Sequence, residues 1–89
     1  MYLHIGKEMI IKTDDIVGIF DLDTATISKA TRNYLSAAEK SGDVINVTNE
    51  LPKSFIVCKE SDGKRKIYIS QISSSTLNKR SEHINSIIN

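Results

Sequence analysis

Two β-rich runs, Phe55-Ile56-Val57-Cys58-Lys59 and Lys66-Ile67-Tyr68-Ile69-Ser70, flank a short polar stretch that contains Asp62-Gly63. Asp-Gly readily takes positive φ at a tight turn, so the pair predicts a β-hairpin, the strongest single constraint on this fold. With Asp62 and Gly63 as the central turn residues, Ile56 faces Ile69, Cys58 faces Ile67 and Glu60 faces Arg65 on one side. Phe55 then faces Ser70, Val57 faces Tyr68 and Lys59 faces Lys66 on the other, because strand side chains alternate with period two. The first face is core closed by an ion pair. The second is apolar at its open end and cationic near the turn. Opposed lysines are unfavourable, so either they splay into water or an anion sits among them.

The remaining elements follow from local signals. Tyr2-Leu3-His4-Ile5 and Met9-Ile10-Ile11 predict two strands around Gly6-Lys7, with His4 opposite Met9 and partly buried. Thr13-Asp14-Asp15 is a polar turn. The apolar run Ile16-Val17-Gly18-Ile19-Phe20 fits a central strand covered on both faces, with Gly18 marking a bend or close approach. From Ile27 to Lys40, residues recur at steps of three and four, predicting a helix that packs the stripe Ile27, Ala30, Thr31, Tyr34, Leu35 and Ala38 on the sheet. Thr24, Thr26 and Ser28 are its candidate caps, and Lys40 with Gly42 ends it. Asp43 to Thr48 is a short strand, and Pro52 stands at the entrance of the central hairpin. Ile72, Ser73 and Leu77 occupy the N′, N-cap and N4 places of a hydrophobic staple, predicting a short helix from about Ser74 to Arg80. The tail to Asn89 keeps Ile84, Ile87 and Ile88 at helical spacing, as an extension of that helix or as a contact for a subunit or partner.

The order predicts an α+β fold: one small domain over residues 1–80, then a tail over 81–89. Its mostly antiparallel sheet has about five to six short strands, one long helix and a short C-terminal helix. A chain of 89 residues buries roughly 60–65% of its unfolded surface, enough for a modest core. One cysteine, Cys58, excludes an intrachain disulfide, and its place on the apolar strand face predicts a buried small hydrophobe. No run approaches the 18–20 apolar residues of a membrane span, so a cytoplasmic setting without membrane contact is the expectation. His4 and His83 are far apart, and the paired aspartates sit where turns and caps want them. No phosphate loop, metal-ligand set or nucleophile motif appears, so neither enzyme chemistry nor a cofactor or metal is expected. Net charge +1 and a pI near 7.9 argue against a strongly basic monomer that binds nucleic acid, while leaving room for an assembly that gathers local basic patches.

Four strings carry a resemblance: Met1-Tyr2-Leu3-His4-Ile5-Gly6, Asp15 to Leu22, Leu51-Pro52-Lys53-Ser54-Phe55, and Tyr68 to Leu77. In this order and spacing the chain resembles the extracellular matrix regulatory family, most closely its RemB-type branch. The resemblance implies a non-enzymatic regulator of biofilm matrix genes, akin to RemA-type proteins that bind DNA as rings. A basic position of that branch falls on Asp15, a charge reversal. A basic cluster falls on the Glu50-Leu51-Pro52-Lys53 loop, where only Lys53 is positive. Two readings follow. One is a homo-oligomer, ring or dimer, that touches double-stranded DNA through Lys53, Lys59, Lys64, Lys66 and Lys12. The other is an adaptor that works through protein contacts at Ile84, Ile87 and Ile88.

Overall fold

In the computed structural model, the backbone is described for residues 1–88 and side chains through Ser81. The fold is α+β. The two central strands, β5 (Ser54–Lys59) and β6 (Arg65–Ser70), form the hairpin expected around Asp62-Gly63. Ser54 to Cys58 are all buried, so β5 lies in the middle of the sheet with protein on both faces. Strand β3 (Ile16–Asp21) pairs antiparallel with β5, and β4 (Val44–Asn46) runs parallel to β6, giving the order β3-β5-β6-β4. β1 (Tyr2–Gly6) and β2 (Met9–Lys12) form a separate two-stranded ribbon. A 3-10 turn over Thr13–Asp15 leads from β2 into β3.

The hairpin register differs from the expected one by one residue. Phe55 faces Ile69, Ile56 faces Tyr68, Val57 faces Ile67, Cys58 faces Lys66 and Lys59 faces Arg65. The cause lies in the turn. The Gly63 N–H donates to the Glu60 carbonyl and the Glu60 N–H to the Lys64 carbonyl, both at 2.9 Å. Ser61, Asp62 and Gly63 therefore make a three-residue loop, with Gly63 at φ +84°. That is a tight turn followed by a glycine bulge. The Asp62 carboxylate accepts from the Lys64 N–H at 2.9 Å and fixes the loop. A slip of one residue turns the whole of β6 over relative to β5.

The sheet separates two cores. On one face the ribbon packs Leu3, Ile5 and Ile11 onto Ile56, Cys58 and Tyr68, and Leu77 closes the layer. Two serines opposed across the hairpin, Ser54 and Ser70, are wholly buried on this face. The Ser70 hydroxyl donates to the Ile5 carbonyl and accepts from the Ile72 N–H, while Ser54 donates to the Ile72 carbonyl at 2.7 Å. Satisfied hydroxyls make this burial tolerable and tie the ribbon and the C-terminal segment to the sheet. On the other face, Phe55, Val57 and Ile67 meet Leu22, Ala25, Leu35 and Ala38 from two helices.

The long helix expected over 27–40 is present, two residues shorter at its start, and a one-turn helix that was not expected precedes it. α1 (Leu22–Ala25) is capped by Asp21, and α2 (Lys29–Lys40) by Ser28, whose hydroxyls and carboxylate accept from backbone N–H groups three residues on. Ile27 falls in the link between them, is 77% exposed and leaves the apolar stripe. Arg32 Nη1 donates to the Thr26 and Ile27 carbonyls at 2.8 Å and holds that link. α2 ends as expected: the Gly42 N–H donates to Glu39 and the Asp43 N–H to Ala38, a Schellman pattern. α3 (Ser74–Ile88) starts at the expected staple. Ser73 accepts from the Thr76 N–H at 3.2 Å, Leu77 is buried and Ile72 packs beside it. The helix continues along the tail.

Two strand expectations are corrected. β3 is an edge strand rather than a central one, with Val17 65% exposed and a bulge between Ile16 and Gly18. Bulges at edges discourage further pairing, which suits an apolar strand left at the border. In the ribbon the turn falls on Lys7 and Glu8. His4 therefore faces Ile10 rather than Met9, and it is exposed.

Candidate nucleic-acid interface

The register decides which charges share a face. Lys66 stands on the ribbon side, opposite Cys58, and its Nζ lies 3.4 Å from Glu60 Oε1. That is the ion pair expected at the outer end of this face, made by Lys66 instead of Arg65. Lys12 borders the same side, in a cavity shared with Asp15, Glu60 and Tyr68. Lys64 is exposed in the loop. Lys59 is exposed on the helix side, directly opposite exposed Arg65. Lys53 is exposed at the entrance of β5, held by its N–H to the Ser70 carbonyl at 2.8 Å. At 3.2–3.4 Å per residue, Lys53 lies about 20 Å along the strand from Lys59. The five nominated lysines thus occupy three places: the ribbon side among acids, the hairpin tip, and the far end of the strand. Lys59 is brought together with Arg65, which the expected register places in the ion pair, while Lys64 stands opposite Glu60 beside the turn. The signal for Arg65 was present in the glycine of the loop, because a bulge there shifts the register by one. Ile84, Ile87 and Ile88 lie beyond the residues whose side chains are described.

Acidic charge collects on the ribbon side. Burial pushes the Cys58 thiol up to about 11, and the carboxylates of Asp15 and Glu60 add to the effect. The thiol is therefore protonated and unreactive at neutral pH. The Tyr68 hydroxyl is also raised, first by burial, with Lys66 opposing. Among the described residues, no group of three or more His, Cys, Asp or Glu could hold a metal ion. None of the described helices is long and apolar enough to cross a membrane.

Beside the hairpin on the helix side runs an apolar groove of about 380 Å³. Val17, Phe20, Phe55 and Val57 line it from the sheet, Ala30 and Tyr34 from α2, and Arg65 stands at its border. Phe20 stacks on Phe55 with ring centroids 5.1 Å apart. Its ring lies over Gly18, where a Cβ would meet two ring carbons at 2.6 Å. Gly18 is therefore the close approach expected from sequence.

The chain is thus a small α+β sheet with a buried serine stitch and exposed cations at its hairpin tip. The RemA-like family, described as extracellular matrix regulatory protein A-like, matches residues 2–80, and the chain belongs to it. Among curated proteins it is similar to Extracellular matrix regulatory protein B of Bacillus subtilis (strain 168). The two are 38% identical over 82 residues, covering 92% of this chain and 91% of the relative.

Proposed function

We propose that this protein is a non-enzymatic regulator of bacterial extracellular matrix genes that works as an oligomer and contacts DNA phosphates through the tip of its central hairpin. Family membership supports the regulatory role. The observation that carries the DNA contact is the pair of exposed tip cations, Lys59 and Lys64, which make no ion pair among the described residues. Lysine supplies charge without a planar fork, so the lysine contacts serve affinity rather than sequence readout. Lys53 and Lys12 are subsidiary positions that a long duplex reaches only through neighbouring subunits. Repetition around an assembly would then raise weak single contacts by about 10²–10⁴. Duplex binding at several salt concentrations tests this. Each phosphate neutralised should contribute about −0.9 to the slope of log K against log salt, and a slope near zero rejects the DNA contact.

The apolar groove favours a second reading, an adaptor that works through protein contacts. Val17, Phe20 and Tyr34 remain exposed along it at 65%, 41% and 37%, a contiguous apolar strip of the kind that protein contacts use. Light scattering with and without duplex separates the readings. An oligomer whose mass rises when duplex is added supports the first, and an oligomer indifferent to duplex supports the second.

A further inference from the structure

We infer that Arg65 and Lys59 form an anion clamp for a phosphodiester on the helix side of the hairpin, and that Lys66 takes no part in it. The inference rests on the proposed DNA contact and specifies where on the tip that contact is made.

The ladder places Lys59 and Arg65 directly opposite each other, both exposed. Opposed strand residues bring their Cβ atoms to about 4.5–5.5 Å, and like charges at that separation destabilise the pair. Relief normally comes from an acid on the same face. The acid nearest in the hairpin, Glu60, points to the ribbon side and is engaged by Lys66 at 3.4 Å. Among the described residues, neither Lys59 nor Arg65 has an acid within ion-pair distance. Asp43 borders the same cavity as Arg65 without pairing with it. The arrangement leaves two exposed cations side by side on one face of the hairpin, with no acid among the described residues within ion-pair distance to offset their repulsion.

Arg65 also differs from the lysines in kind. It borders a cavity together with Tyr34 and Ala37 of α2 while the residue as a whole stays exposed. A guanidinium can offer parallel N–H donors to two oxygens of one phosphate, which an ammonium cannot. Lys59, across the ladder, adds a point charge to the same group. The ligand class is a phosphate diester or a phosphate-like oxyanion with two accessible oxygens.

The test uses the full chain, isotope-labelled, titrated with a mixed-sequence duplex and separately with inorganic pyrophosphate. Pyrophosphate is expected to shift the amide signals of Lys59 and Arg65 more than those of Lys66. Arg65→Gln and Lys59→Gln should each weaken duplex binding at least fivefold and make the salt slope shallower by about one. Lys66→Gln should stay within twofold. Thermal melts of the variants, with Asp43→Asn beside them, check that Arg65→Gln does not act by unfolding or by breaking a contact to Asp43. Duplex binding that survives Arg65→Gln, or that falls as far with Lys66→Gln, overturns the clamp. If the wild-type chain binds no duplex yet pyrophosphate still shifts Lys59 and Arg65, the DNA reading fails and the clamp stands. Absence of both responses removes both.

Discussion

The two faces of the central hairpin come from the same twelve strand residues, Ser54–Lys59 and Arg65–Ser70, and end in opposite states. The ribbon face is closed. Its apolar residues meet Leu3, Ile5, Ile11 and Leu77, its serines are hydrogen-bonded, and its outer end carries the Lys66–Glu60 pair. The helix face is unfinished. α2 covers Val57 and Ile67, but beyond it lie an open groove and two opposed cations. The difference teaches where to look for function. A face whose apolar residues, buried serines and outermost charges find partners within the chain is devoted mainly to stability, even though Gln71 Oε1, buried beside Gly6, has no hydrogen-bond partner among the described residues. A face that leaves both apolar area and unpaired like charge has contacts still to make.

The sharpest way to break this comparison is to cut into the closed face. Leu77→Ala removes a fully buried side chain that joins α3 to the ribbon and should cost about 2–5 kcal/mol, read as a lower urea midpoint. Phe20→Ala on the open face should cost clearly less, because Phe20 is already 41% exposed. Equal losses would mean that the two faces are equally important to stability.

Alkaline titration probes the closed face more gently. In the unfolded chain Cys58 ionises near 9.0, whereas in the folded protein it does so near 11. The folded thiol keeps its proton where the unfolded one has lost it. Its stabilising contribution is therefore full below pH 9 and falls as pH rises to about 11, by on the order of 2 kcal/mol. Cys58→Ala should flatten that part of the stability profile. A profile that keeps its slope assigns the effect to tyrosines or lysines instead.

Ser54→Ala leaves the Ile72 carbonyl without its 2.7 Å donor, and a loss of about 1–2 kcal/mol is expected by thermal or chemical denaturation. The smallest effect belongs to Glu60→Gln. The Lys66 pair is partly exposed, at 40% and 35%, and solvent screens it to well under about 1 kcal/mol. What Glu60→Gln should change is the charge balance of the tip: duplex binding should strengthen modestly. Weaker binding would place the negative charge of Glu60 among the contacts the tip needs.

Much of this architecture was legible in the chain. The hairpin around Asp62-Gly63, the end of α2 at Gly42, the staple of Ile72 and Leu77 around Ser73, and the burial of Cys58 each rest on a signal within a few residues. Local backbone chemistry suffices for them, since caps, turn glycines and strand alternation act over short distances. The break between α1 and α2 was harder to see, because Thr24, Thr26 and Ser28 all read as caps. Only the hydrogen bonds of Asp21, Ser28 and Arg32 distinguish them.

Tertiary structure decided the rest. Period-two alternation says that neighbouring side chains point apart, but not which residue of the partner strand each one meets. That depends on whether Gly63 is a turn residue or a bulge, a choice of one residue in the loop that moves Lys66 to one face and Arg65 to the other. In the same way an apolar run such as Ile16–Phe20 shows a strand without showing its neighbours, and β3 became the border because β6 took the other side of β5. From its residues alone the chain determined that it would form an α+β fold with a charged hairpin at its centre. Packing across the sheet determined which of those charges were paired within the protein and which were left facing outward.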